Sequence, residues 1–178
     1  MTFLAGICVE IICTAAAYCS PWDSLGKISA LTFVTYIIET KSAKETYDLG
    51  KKIGSHAKAG EVYTLVGDLG VGKTVFTQGL AKGLGIEEPI SSPTFTIVQV
   101  YDDGRLPFYH FDVYRIGDIE EMDEIGFEDY VYGDGVSLIE WANLIDEILP
   151  ANRTEITIEK DLEQGFDFRR ITVEKRGE

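Results

Sequence analysis

Two hydrophobic rhythms alternate along the chain. Val34 to Glu39 (VTYIIE) is dense in β-branched and aromatic residues and predicts a strand. The rhythm then lengthens. Ala43, Thr46, Leu49, Gly50, Ile53 and Ala57 fall on one stripe at helical spacing, and Ser42 with Glu45 three positions later forms a capping box at its start. After Gly60, Val62 to Val66 (VYTLV) is a nearly unbroken apolar run, the pattern of a strand buried on both faces of a parallel sheet. Thr74 to Leu84 returns to helical spacing and stops at Gly85.

The second half is richer in strands. Thr94 to Tyr101 and Leu106 to Val113 flank Asp102-Asp103-Gly104-Arg105, whose Asp-Gly pair predicts a β-hairpin. Ile119 to Ile125 reads as a short acidic helix and Val136 to Ile139 as another buried strand. Ala142 to Leu149 reads as a helix ended by Pro150, and Glu155 to Lys160 and Phe168 to Glu174 as two strands facing each other across a Gly165 turn. Strands alternating with helices around a central apolar strand predict a three-layer α/β domain, and the hairpins make its sheet mixed.

Phe3 to Ala17 stands apart as a strongly apolar stretch. It is not read as a secretory signal, because no Lys or Arg precedes it, Glu10 lies inside it, and as a helix it is too short to cross about 30 Å of hydrocarbon. Residues 1–33 are therefore set aside as an N-terminal extension outside the fold, with translation from near Val34 as an alternative, and residues 34–178 are taken as the domain. Cys8, Cys13 and Cys19 all fall in the extension, and their spacing, without a nearby His, does not suit a zinc site.

Composition narrows the function. A chain of 178 residues, 45% hydrophobic and 26% charged, suits one soluble globular domain. Its 30 Asp and Glu against 16 Lys and Arg give a net charge of −14. Proteins grip phosphate backbones by displacing counterions with Lys and Arg, so this balance argues against direct binding of nucleic acid or an anionic membrane.

The chemistry concentrates at Gly67-Asp68-Leu69-Gly70-Val71-Gly72-Lys73-Thr74, a full match to G-x-x-x-x-G-K-[ST]. The motif follows a buried strand and opens a helix, an arrangement that points backbone N–H groups and the positive helix end at an anion. Gly67, Gly70 and Gly72 allow close backbone approach, Lys73 reaches the β- and γ-phosphates, and the Thr74 hydroxyl is placed for Mg²⁺. A P-loop NTPase-like domain also needs a carboxylate near the metal. Asp112, in His110-Phe111-Asp112-Val113-Tyr114-Arg115, and Glu140 both end apolar strands, where ligands bind in open α/β folds. Either can serve Mg²⁺, directly or through water. Each also has a structural use: Asp112 as a turn cap, Glu140 as a helix N-terminal charge, Trp141 as core, and His110 as a hydrogen-bonded core histidine.

Together the motifs resemble one family, TsaE, the small bacterial ATPases needed for threonylcarbamoyladenosine modification of tRNA. The resemblance spans about Val34 to Val173 and rests on GDLGVGKT at 67–74, SPTF at 92–95, HFDVYR at 110–115, GFEDY at 126–130 and IEW at 139–141. It implies that Gly67 to Thr74 bind ATP, that Thr74 and Glu140 ligate Mg²⁺, and that Asp112 with Lys73 is essential for hydrolysis. It further implies that Thr94 contacts the γ-phosphate and that Tyr114 and Trp141 are active-site aromatics. Ala43 and the Gly165 to Arg169 turn are candidates for the adenine pocket. The implied partners are TsaB and TsaD in the cytoplasm, with tRNA engaged only through them and no membrane. Intrinsic hydrolysis would be slow.

Two other functions use the same loop. A small-molecule kinase clamps the migrating phosphoryl group with several cations, but Arg105, Arg115, Arg153, Arg169, Arg170 and Arg176 are the only arginines and form no Arg-rich lid. A nucleotide-gated binding module with little catalysis fits the small size and acidic surface. Ile116 to Asn152 contains no Lys or Arg but many acids, among them Glu120, Glu121 and Asp123, and reads as a solvated face or a docking surface for a basic partner.

Overall fold

A computed structural model describes residues 8–15 and 32–177, with side chains from residue 35 onward. One eight-stranded sheet runs through the domain in the order β1-β2-β8-β7-β3-β6-β5-β4. Its strands are β1 (Cys8–Ala15), β2 (Thr32–Thr40), β3 (Val62–Val66), β4 (Val98–Tyr101), β5 (Phe108–Asp112), β6 (Val136–Glu140), β7 (Arg153–Lys160) and β8 (Arg169–Arg176). The central β7, β3, β6 and β5 are parallel, and the flanking pairs β1–β2, β2–β8, β8–β7 and β4–β5 are antiparallel. The mixed sheet and the Asp102-to-Arg105 hairpin expected from the sequence are both present.

Two apolar clusters make the layers. One joins Leu65, Phe108, Leu138 and Ile156 of the sheet to Leu49 of α1 (Ala43–His56) and Phe76 and Leu80 of α2 (Lys73–Gly83). The other, on the opposite face, joins Val62, Phe111 and Ile139 to Met122 of α3 (Glu120–Glu124) and Phe127 of α4 (Phe127–Val131). Residues two apart on a strand share a face. Phe108, His110 and Asp112 therefore point to the α2 side, as do Val136, Leu138 and Glu140, and both rows end in a carboxylate at the same edge of the sheet.

The position of α2 is set by glycines. A Cβ on Gly79 would lie 2.1 Å from the Tyr47 carbonyl oxygen and one on Gly83 2.2 Å from that of Lys51, while one on Gly50 would meet the Phe76 oxygen at 2.3 Å and one on Gly54 the Leu80 oxygen at 2.0 Å. The two helices touch backbone to backbone, which only glycine permits. The α1 N-terminus is capped as expected: Ser42 Oγ accepts from Glu45 N at 3.2 Å, although the Glu45 carboxylate reaches back to Lys41 N rather than Ser42 N. The Arg105 guanidinium closes the other end on the carbonyls of Gly54 and Ala57.

Several expected elements change. The strand expected over Thr94 to Tyr101 begins only at Val98, because residues 94–96 form a turn and Ile97 takes the left-handed region at φ 65°. The helix expected over Ala142 to Leu149 is two 3-10 turns, Ala142–Leu144 and Asp146–Ile148, interrupted where Ile145 leaves helical backbone at φ −128°. The GFEDY motif supplies α4, whose start Gly126 makes in the left-handed region at φ 72°. Sequence reasoning set residues 1–33 outside the fold. In the structure Cys8–Ala15 pairs along β2 from Cys8–Glu39 to Ala15–Thr32, a backbone docking that an open sheet edge invites. The cysteine Cys19 and the turn at residues 20–23 lie outside the described residues. Among the described residues no helix is long and apolar enough to cross a membrane.

Candidate nucleotide site

The loop Gly67 to Thr74 joins β3 to α2 at the carboxyl edge of the parallel strands. Gly67 is forced: at φ 154° its Cβ would sit 2.4 Å from the Ile158 carbonyl oxygen and 2.9 Å from Val71. Gly72, at φ 107°, has no atom within 4 Å of where a Cβ would stand. It precedes the first turn of α2 and lines the cavity there, at the helix end that favours an anion.

Lys73 is buried, at 6% exposure. Its ammonium donates to the carbonyls of Gly67 at 2.7 Å and Asp68 at 3.0 Å and lies 3.8 Å from the Trp141 ring centroid. Burial lowers its pKa below that of an ordinary lysine, opposed by the charges of Glu140, Asp112 and Asp68. Two of its three hydrogens lie on the loop carbonyls, and the third remains for an anion.

Asp112 and Glu140 pair in register at the ends of β5 and β6, and Glu140 pairs with Leu65 of β3 two residues before the loop. Strand adjacency thus brings both carboxylates beside Lys73. Both are buried, at 4% and 2% exposure. Asp112 Oδ2 accepts from the hydroxyls of Ser92 and, at 2.9 Å, Thr94, while Oδ1 accepts from Tyr114 N at 3.1 Å. Glu140 Oε1 lies 3.0 Å from His110 Nε2 and accepts from Thr77 Oγ1 at 3.2 Å. Trp141 turns the chain at φ 62°, a left-handed backbone that costs a non-glycine residue about 1–3 kcal/mol, and its N–H donates to Leu65 O at 3.0 Å. Its ring packs on Tyr114 with centroids 4.9 Å apart.

All of these groups except His110 and Thr77 line one cavity of about 410 Å³. Leu69, Gly70, Gly72, Lys73, Thr74, Thr94, Asp112, Tyr114, Glu140 and Trp141 all contribute to it, so nearly every residue singled out in the sequence converges here. Gly67, Asp68 and Val71 belong to the loop and do not line the cavity. A smaller hollow of about 180 Å³ abuts the loop and joins Ala43 and Thr46 to Asp167 and Arg169, whose Nε donates to Val71 O at 2.6 Å. The two segments considered for the adenine are thus neighbours.

Among the described residues no three His, Cys, Asp or Glu side chains form a metal cage. The two carboxylates and the Thr74 hydroxyl that line the cavity are the sparse oxygen donor set that suits Mg²⁺, which keeps waters and takes phosphate oxygens as ligands.

Two side chains escape sequence reasoning, and a third is anticipated without its partner. Thr77 lies one turn beyond Lys73 on the same helix, and the i, i+4 spacing alone marks it. Ser92 stands out in the sequence only as part of its motif, with nothing to mark it as a donor to Asp112. His110 is the hydrogen-bonded core histidine expected, and its place two residues before Asp112, on the same strand face, is the signal that its partner is a carboxylate of the site.

A phosphate loop between a buried strand and a helix, with a lysine, a hydroxyl and two strand-end carboxylates around one cavity, places the domain in the P-loop NTPase-like fold class. Comparison with known proteins narrows this class. Residues 40–171 match the family described as threonylcarbamoyl adenosine biosynthesis protein TsaE, and the chain belongs to this family. The tRNA threonylcarbamoyladenosine biosynthesis protein TsaE of Bacillus subtilis is 50% identical over 133 residues, covering 75% of this chain and 81% of that protein. The protein of the same description from Treponema pallidum is 44% identical over 119 residues, 67% of this chain and 87% of that one. The crystal structure of Bacillus subtilis YdiB aligns with a TM-score of 0.70 at 43% identity, covering 80% of this chain and 86% of that one.

Proposed function

We propose that this protein is a Mg²⁺-dependent ATPase that serves threonylcarbamoyladenosine formation in tRNA, cycling in the cytoplasm on a complex of TsaB and TsaD. The observation that carries the reading is the convergence of Lys73, Thr74, Asp112 and Glu140 on one cavity in a chain of the TsaE family.

In this reading the backbone N–H groups of Gly70 to Thr74 and the Lys73 ammonium bind the β- and γ-phosphates of ATP. Thr74 Oγ1 and the Glu140 carboxylate hold Mg²⁺, which when bound neutralises charge on the phosphate oxygens. Asp112 orients the attacking water through an oxygen not saturated by its present donors, and Thr94 follows the γ-phosphate. Tyr114 and Trp141 wall the site from solvent, and the hollow between Ala43 and Arg169 takes the adenine. The net charge of −14 supports engagement of tRNA through the partners rather than directly. Transfer of the threonylcarbamoyl group belongs to the partner, and ATP here governs assembly and reset of the complex.

The test is phosphate release measured with and without TsaB and TsaD. Mg²⁺-dependent release that rises with the partners and disappears in Lys73→Ala is expected. Release never above the Lys73→Ala background would favour a nucleotide-gated binding module instead.

A further inference from the structure

We infer that His110 and Thr77 are positioning residues that together immobilise one oxygen of Glu140 and leave its other oxygen for the metal. The inference rests on the reading of Glu140 as a metal-binding carboxylate.

Both contacts fall on the same atom. His110 Nε2 is 3.0 Å from Glu140 Oε1, and Thr77 Oγ1 is 3.2 Å from that same oxygen. Oε2 takes part in neither bond, and Glu140 lines the nucleotide cavity. The two restraints come from different elements, His110 from β5 beside β6 and Thr77 from α2 above it, so they fix the carboxylate in two directions.

The histidine is itself held. It is fully buried, its ring lies 15° from parallel to that of Phe108 at a centroid distance of 5.9 Å, and Phe108 stacks in turn on Tyr101. An ionised carboxylate only accepts, so the bond to Oε1 puts the hydrogen on Nε2. Nδ1 is buried, and among the described residues it has no partner. A side chain serving packing alone does not need this costly unpaired nitrogen, whereas a donor aimed at Glu140 accounts for it. Thr77 Oγ1 also lies 3.0 Å from the Lys73 carbonyl oxygen, so its single hydrogen is shared between that carbonyl and Oε1, and the hydroxyl sits between the carboxylate and the first turn of the helix that carries Lys73 and Thr74. Metal-binding groups held by such outer hydrogen bonds lose affinity when the bonds are removed, because the ligand must then be ordered at the moment of binding.

The experiment follows binding, not turnover. Affinity for the non-hydrolysable analogue AMP-PNP is titrated against Mg²⁺ and in EDTA for His110→Phe, which keeps the ring stack, and Thr77→Val, which keeps the shape. Each is expected to raise the Mg²⁺ concentration needed for half-maximal nucleotide affinity by about 10-fold or more while leaving the affinity in EDTA unchanged. His110→Gln, whose amide reaches the place of Nε2, and Thr77→Ser should restore the parent response. Should His110→Phe not fold, as judged by its thermal transition, the Thr77 pair carries the comparison. A Mg²⁺ response equal to the parent's in the folded variants overturns the inference, as does equal loss in His110→Phe and His110→Gln. Glu140→Gln separates the levels: if it does not alter the Mg²⁺ response, the metal reading itself fails, and if it alters the response while His110→Phe and Thr77→Val do not, only the positioning role fails.

Discussion

Asp112 and Glu140 stand opposite each other in register on adjacent parallel strands, and their surroundings differ in a way that divides their tasks. Asp112 accepts from the Ser92 and Thr94 hydroxyls on the segment before β4, whereas Glu140 is fastened to β5 and α2 through His110 and Thr77. The first carboxylate is coupled to a surface loop and the second to the core. That division suits a group that acts during turnover beside one that holds a metal in place.

Replacing Asp112 by Asn should therefore leave affinity for Mg²⁺ and ATP close to the parent value and lower turnover by about 10²-fold or more. Binding by calorimetry and phosphate release on the same preparation check this. A variant that hydrolyses ATP at the parent rate removes Asp112 from the reaction.

The lowered pKa of Lys73 gives a pH dependence with a definite sign. Phosphate binding needs the ammonium form, and burial makes that form lose its proton below the ordinary lysine value of 10.5. Nucleotide affinity should fall as pH rises toward that value, and binding near the lowered pKa should take up a proton, because the bound phosphates favour the charged lysine. Calorimetric titrations at alkaline pH, in buffers of different ionisation enthalpy, measure this uptake. Proton release on binding would contradict the assignment.

Gly79 lies where α2 meets α1, and its missing side chain is replaced by the Tyr47 carbonyl. In Gly79→Ala the two backbones must separate, an overpacking that costs about 1–3 kcal/mol despite the better helix propensity of alanine. Chemical denaturation should show the loss, with nucleotide affinity falling alongside because α2 carries Lys73 and Thr74. An alanine variant as stable as the parent would show that the helices do not require this contact.

Asp118, Glu120, Asp123, Glu124, Glu128, Asp129 and Asp134 are exposed around α3 and α4, on the opposite face of the sheet from α1 and α2. If this face steers the protein onto basic surface of its partners, Lys at positions 120, 121 and 123 should slow association about 10-fold or more at low salt and leave ATP binding unchanged. Stopped-flow association with TsaB and TsaD over a salt series measures it, and an unchanged, salt-independent rate would count against the face.

Much of this was legible because the informative signals are local. The loop motif, the apolar runs ending in Asp112 and Glu140, and the Ser42 cap each depend on a few neighbouring residues, and each is found where expected. What the sequence concealed depends on contacts between distant segments. Gly50, Gly54, Gly79 and Gly83 look like weak points within two helices until the helices are laid together. Thr77 and His110 are 33 positions apart and meet only at Glu140. Ile97 and Ile145 break their expected elements through backbone angles that their β-branched side chains do not advertise.

On the proposed function, the cavity around Lys73 binds and hydrolyses ATP for tRNA modification. Threonylcarbamoyladenosine formed on tRNA over repeated rounds by TsaB, TsaD, threonylcarbamoyl adenylate and ATP, with this protein, with Lys73→Ala or with neither, tests it most directly. Sustained modification with the parent and none above the omission control with Lys73→Ala is the expected result, and Lys73→Ala supporting modification as well as the parent would contradict the account.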